Sequence, residues 1–205
     1  MYDRKILEEH YVHRINPKDK GHVILDWENE DAHLGRFEVL VRKLDLSDMH
    51  ILDVGCGIGD FYRYLQERGV SASYTGIDIL PEMIKEAKRR NPEGEFISGD
   101  LFTQEIFSPG SFDLVFSSGI FNLKVGDNHA LLRDALQVFF ALSRQWVVFN
   151  LLDPDHPIQR DIYCYFDPQE VLGMVMEHTS LVEMERDYVP KDYTIFARKE
   201  VSSDL

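Results

Sequence analysis

The segment Ile51-Leu-Asp-Val-Gly-Cys-Gly-Ile-Gly-Asp60 decides the fold. It opens inside a short apolar run, His50–Val54, that ends on Asp53 and Gly55. It leads directly into Phe61-Tyr-Arg-Tyr-Leu-Gln-Glu-Arg-Gly69, which reads as a helix closed by glycine. Strand, glycine turn and helix in immediate succession predict the start of a βαβ unit. One glycine would suffice for a tight turn. Three at alternate positions also let a ligand approach the backbone where a Cβ would collide. In an open α/β sheet, ligands sit at the carboxyl ends of strands where the winding reverses.

The pattern continues on the C-terminal side. Ser73–Asp78, Glu95–Ser98, Phe112–Ser117 and Trp146–Leu152 read as further strands. Helices are predicted from Pro81 to Arg90, over about 128–143, and from Pro168 to about His178; proline is favoured in a first helical turn. Leu181–Asp187 and Tyr193–Arg198 read as a closing hairpin with its turn near Pro190. Alternating strands and helices predict a doubly wound, mostly parallel α/β sheet. Residues 1–48 read as an N-terminal helical cap of two helices and 49–205 as the ligand-binding domain. The second cap helix, about 31–44, places Leu34, Phe37, Leu40, Val41 and Leu44 on one face.

The acids name the ligand class. A dinucleotide fingerprint is GxGxxG, with pyrophosphate on the helix N-terminus. Here the sixth position is Asp60, whose charge would repel a diphosphate. Acids on both sides of the glycines suit a ligand with a cationic part. Asp78 ends the second strand about twenty residues beyond the last glycine, the spacing of a ribose-binding acid. Its carboxylate can accept from two vicinal hydroxyls. Asp100, in Gly99-Asp-Leu101 after the third strand, can accept from an adenine amino group. Strand-end aspartates often cap turns; three after successive strands say more than any one.

On LDVGCGIGD, GID and GD at matching strand ends, the chain resembles the class I S-adenosylmethionine-dependent methyltransferases, in their small bacterial form. The likeness covers about 51–152 and, more loosely, the final hairpin. It implies a seven-stranded sheet with an antiparallel last strand and S-adenosylmethionine as cofactor. It also implies that Asp53, Gly55, Cys56, Gly57 and Gly59 cradle the methionine part, and that Asp78 holds the ribose. Ile79 and Leu80 would flank the adenine, with Gly99, Asp100 and Leu101 at its edge. Backbone around Ser117 and Ser118 would meet the amino group. Trp27 and Arg36 resemble a cap in which the arginine meets the methionine carboxylate; a salt bridge is the competing role for Arg36.

Methyl transfer to an activated carbon requires alignment and dryness more than a fixed base, so no catalytic residue is demanded. Phe121 and Asn122, after the fourth strand, are candidates for the acceptor site, with Tyr11 from the cap. The competing roles are core for Phe121 and a turn cap for Asn122. Of eight histidines, His156 is the first candidate base because it follows the fifth strand, with Asn122 the other catalytic candidate. The acidic stretch Asp26–Asp31 reads as a solvated loop, or as a lid for an amine substrate.

Bulk properties bound the partners. The 205 residues, 44% apolar, suit a single domain with a sizeable core. A net charge of −14 disfavours nucleic acid. No stretch reads as a membrane span or a signal peptide, which places the chain in the cytoplasm. Cys56 and Cys164 form no metal pattern, so no metal is expected, and Cys56 reads as a small filler. A small-molecule acceptor of methyl at oxygen or nitrogen, and a monomer or homodimer, complete the expectation. The rivals are a nicotinamide-dependent oxidoreductase, a non-catalytic cofactor-binding partner subunit, and aminopropyl transfer from decarboxylated cofactor.

Overall fold

A computed structural model describes residues 2–155, 159–186, 188–189 and 192–200. The strands are β1 His50–Val54, β2 Ser73–Asp78, β3 Glu95–Ser98, β4 Phe112–Ser118, β5 Ser143–Leu152, β6 Val182–Glu185 and β7 Asp192–Arg198. They form one sheet in the order β3-β2-β1-β4-β5-β7-β6. β1 pairs in parallel with β2 and β4, β2 with β3, and β4 with β5; β7 runs antiparallel to both β5 and β6. The winding reverses between β1 and β4, which puts the glycine turn at the switch point.

The central strands are apolar on both faces because both faces are covered. On one side Leu52, Val115 and Phe149 pack with α6 (Asn128–Leu142) and α7 (Pro168–Met176). On the other, Ile51, Phe116 and Phe196 meet α3 (Glu30–Lys43), α4 (Asp60–Glu67) and α5 (Pro81–Arg90). Phe61 anchors that second layer, with its ring 4.7 Å from Phe116 and 5.1 Å from Phe37. α4 ends as the glycine predicts: Gly69 has φ +67° and Val70 N–H reaches back to Leu65 O at 3.0 Å.

Two regions differ from the sequence reading. The cap holds three α-helices rather than two: α1 Arg4–Tyr11, with a 3₁₀ turn at Val12–Arg14, then α2 Gly21–Ile24, then α3. Pro17 lacks an amide hydrogen and disfavours helix in the residue before it. Asp26 adopts φ +59°, which ends α2's turn before α3 begins. β5 also starts at Ser143, three residues early, because Ser143 pairs with Phe112 beyond an irregularity in the β4 register. The hairpin of β6 and β7 forms as expected, though its predicted turn residue Pro190 lies outside the described residues.

Phe61→Ala should lower stability by about 3–5 kcal/mol through transfer and cavity terms together. Denaturant unfolding checks this, and a loss below 1 kcal/mol would show that the aromatic layer relaxes around the gap.

Candidate active site

The turn after β1 is fastened to its neighbours through backbone and side-chain hydrogen bonds. Gly55 and Cys56 N–H donate to Ile77 O at 2.8 and 3.1 Å. Gly57 N–H donates to Asp78 Oδ2 at 2.9 Å, and Leu80 N–H to Asp78 Oδ1 at 2.9 Å. Asn91 Nδ2 donates to the carbonyls of Ile58 and Gly59, each at 3.3 Å. Gly55 (φ +74°) and Gly59 (φ +80°) are left-handed, where a side chain is strained. A Cβ on Gly55 would also strike the Ile120 side chain. Cys56 is buried against the Cα of Gly76, and burial pushes its thiol up, so it is a filler rather than a reactive group.

Three acids stand around this turn in different electrostatic states. Asp53 is 3% exposed; burial pushes its carboxyl up to about 7, although Tyr74 Oη donates to it at 2.6 Å. Asp78 is half-buried, and burial raises it to about 6 against the pull of its backbone donors. For Asp60, burial alone would raise the carboxyl. His33 Nε2 at 3.1 Å and Arg63 Nη2 at 2.7 Å outweigh burial and hold it below the usual range. Burial conversely lowers His33, more than Asp60 raises it, so the pair is an ionised carboxylate and a neutral imidazole.

One cavity opens at the turn and a second adjoins it. The first is lined by Asp53, Gly55, Cys56 and Gly57, by Asp78, Ile79 and Leu80, and by Gly99, Asp100 and Leu101. Leu7 and Tyr11 of α1 roof it. The second is lined by Asp26, Arg36, Asn122, Arg160, Tyr163 and Tyr165, among others. Tyr11, Leu25, Trp27 and Gly119 line both, so they form a common wall. Gly119 is needed there, because a Cβ would sit 2.6 Å from the Trp27 ring.

These features have known counterparts. The family described as "Methyltransferase domain" matches residues 51–139. The methyltransferase-like protein Rv1506c of Mycobacterium tuberculosis is 33% identical over 159 residues, which span 73% of this chain and 92% of that one. The chain is a class I S-adenosylmethionine-dependent methyltransferase. That membership displaces the nicotinamide-dependent reading. Trans-aconitate 2-methyltransferase of Rhodopseudomonas palustris is 28% identical over 67% of this chain and 53% of its own length. Among solved structures, magnesium protoporphyrin IX methyltransferase of Synechocystis superposes with TM-score 0.66 at 13% identity, over 97% of this chain and 100% of the other.

Not every residue expected at the site reaches this methyltransferase's cavities. Phe121 is fully buried and packs edge-on to Phe149 and Phe166, so it belongs to the core and not to an acceptor wall. Ser117 lies behind Ser118; only Ser118 lines the first cavity. Gly59 shapes the turn from outside, against Asn91 and Phe96. Arg36 lines the second cavity instead of the first. It is 3% exposed, paired with Asp192, and its guanidinium lies 3.7 Å from the Trp27 ring centroid. Asp100 does line the first cavity, but its oxygens already accept from Phe102 N–H and Thr103 Oγ1. Asn122 lines the second cavity with a buried Oδ1 that has no partner among the described residues. His156 lies outside the described residues.

The acidic stretch divides: Glu28, Glu30 and Asp31 are exposed, the last two in the first turn of α3 as expected, while Asp26 is drawn inward. Asp26 is half-buried: it accepts from Tyr163 Oη at 2.8 Å and meets Arg14 Nη1 at 3.1 Å and His10 Nε2 at 3.2 Å. Tyr163, Tyr165 and Arg160 carried no pattern in sequence, since the loop between β5 and α7 has no periodicity. His33 carries no sequence signal that sets it apart from the other cap histidines; the fold sets it against Asp60.

Folding raises the Asp53 pKa from the ordinary ~4 to about 7. The folded state therefore binds this proton more tightly. Stability from this group is full at low pH and is lost as pH rises through about 7. Asp53→Asn should raise the melting temperature of the ligand-free protein at pH 8, with the gain shrinking toward pH 5. Thermal melts across that range test it; a variant less stable at pH 8 would contradict it.

Proposed function

We propose that this methyltransferase moves a methyl group to an oxygen or nitrogen of a small molecule held in the second cavity. The supporting observation is the common wall of Tyr11, Leu25, Trp27 and Gly119, across which the two cavities meet. A cofactor in one and an acceptor in the other would face each other there. The first cavity suits S-adenosylmethionine chemically: a glycine turn that admits no Cβ, and carboxylates at the ends of β1, β2 and β3. When bound, that cofactor supplies a methyl group already activated by a sulfonium.

The chain's own residues then bind and align. Asp78, fixed by two backbone donors, keeps lone pairs free for ribose hydroxyls. Ile79 and Leu80 flank the adenine, and Asp100 and Leu101 read its edge. Gly55, Cys56, Gly57 and Ser118 face the methionine part. Trp27, on the common wall, offers the methionine carboxylate a buried indole N–H that has no partner among the described residues, while Arg36 stays on the second-cavity side. In the second cavity Asn122 orients the acceptor and Tyr163 and Tyr165 wall it. The cap excludes water, which aids alignment more than any single base would.

The enclosure under the cap and the charge of −14 support a small acceptor over a nucleic acid. Trans-aconitate, the acceptor named for one relative, is of that class.

Calorimetry should give binding with S-adenosylhomocysteine and none with NAD. Asp78→Ala should weaken that binding by about a hundredfold, the loss of two hydrogen bonds to a charged acceptor. Wild-type affinity should fall as pH drops through about 6, where Asp78 takes up its proton, and Asp78→Asn should remove that part of the dependence. Transfer of labelled methyl to small carboxylic acids, phenols or amines is expected. Transfer to tRNA, rRNA or protein in their place would overturn the small-acceptor reading.

A further inference from the structure

The first cavity contains a polar group that the roles above leave unused. His33, on α3, is 5% exposed and lines this cavity together with Asp60, Asp53 and Gly55. Its Nε2 lies 3.1 Å from Asp60 Oδ2. Because Asp60 is ionised and can only accept, Nε2 carries the hydrogen. The neutral ring then presents a lone pair at Nδ1, and Nδ1 is buried with no partner among the described residues. The ring cannot easily turn away: Trp27 stacks on it at 6.0 Å and Phe37 meets it edge-on at 5.1 Å. A buried acceptor without a donor marks a place where a ligand is expected to supply one.

We propose that His33 Nδ1 accepts a hydrogen bond from the α-ammonium group of the bound cofactor, with Asp60 holding the imidazole in the tautomer that allows it. This rests on the reading that the first cavity takes the cofactor. Asp60 at the far side of the ring raises the basicity of Nδ1, as carboxylates do for metal-bound histidines. The other charged or titratable groups facing the pair are Arg63 on α4, which partners Asp60, Arg36 on α3 and His22 on α2. Arg90 on α5 also acts on Asp60. Asp53 shares the cavity from β1, but Tyr74 already donates to it. His33 does not line the second cavity, so it is a binding residue for the cofactor's amino-acid end and not a base for the acceptor.

The role separates two nucleosides that share adenosine and sulfur. S-adenosylhomocysteine carries the ammonium; 5′-methylthioadenosine does not. In calorimetry on the full chain, His33→Phe should weaken S-adenosylhomocysteine by about tenfold, one charge-assisted hydrogen bond, and leave 5′-methylthioadenosine unchanged. His33→Asn puts an amide oxygen close to the Nδ1 position and should keep most of the affinity. Independently of any variant, the ¹⁵N shift of His33 Nδ1 should move with S-adenosylhomocysteine and stay put with 5′-methylthioadenosine. Equal weakening of both ligands in His33→Phe, no weakening of either, or an Nδ1 shift that ignores the amino-acid part would each overturn the proposal. Wild-type protein that binds neither nucleoside would overturn the cofactor reading beneath it, and the proposal with it.

Discussion

The path of the backbone from Val54 to Asp60 constrains everything at this edge of the sheet. The chain leaves β1, reverses through left-handed glycines and enters α4 within a few residues, so its amides and carbonyls lose both strand and helix partners. Buried peptide groups in that state are costly unless each finds another partner. Here they find them in neighbouring connections: Ile77 O, the Asp78 carboxylate and the Asn91 amide. The turn is therefore not an independent loop. It is cross-braced to the end of β2 and the end of α5, and the same carboxylate that braces it is exposed enough to meet a ligand.

The cap is joined to this edge by charge as well as by packing. Asp26 gathers groups from α1, from the 3₁₀ turn and from the loop after β5. Arg89 and Arg90, at the end of α5, donate to carbonyls of Asn16, Pro17 and Asp19. These polar ties add to the packing of Leu7, Tyr11, Val12 and Ile15 against Ile24, Ile58, Leu80 and Met83. Arg36 with Asp192 forms such a tie between α3 and the start of β7. A buried pair of this kind contributes more to fixing one arrangement than to net stability.

The strands were legible in sequence because each couples an apolar run to a turn residue. β1, β2 and β3 begin and end where His50–Val54, Ser73–Asp78 and Glu95–Ser98 place them. The glycine turn and its acids were legible for a related reason: their chemistry is local, and spacing along the chain maps onto position in space. The second cavity was not. Its walls come from α1, the loop before α3, and residues 160–165, which no period links. Phe121 looked like a site residue because it follows β4. The chain turns there, and the ring goes into the layer between the sheet and α6, among Phe139, Phe149 and Phe166. Position after a strand does not reveal which way a side chain points.

The acids carry a subtler lesson about how a cation-tolerant site is built. Read as letters, Asp53 and Asp60 flank the glycines as two free negative charges. In the fold neither stands alone. Asp53 is drawn toward its protonated form by burial, and Asp60 is matched by His33 and Arg63. The cavity is thus not a pool of bare anionic charge, which would be costly to maintain without a ligand. What weighs against a diphosphate is the group at the start of α4. There Asp60 brings a negative charge to the end of the helix that would otherwise attract phosphate. The imidazole bonded to it turns an acceptor edge, rather than a donor, toward the ligand. With Asp53 damped and Asp60 paired, the carboxylate left to meet a ligand's hydrogen-bond donors is Asp78, which titrates near 6.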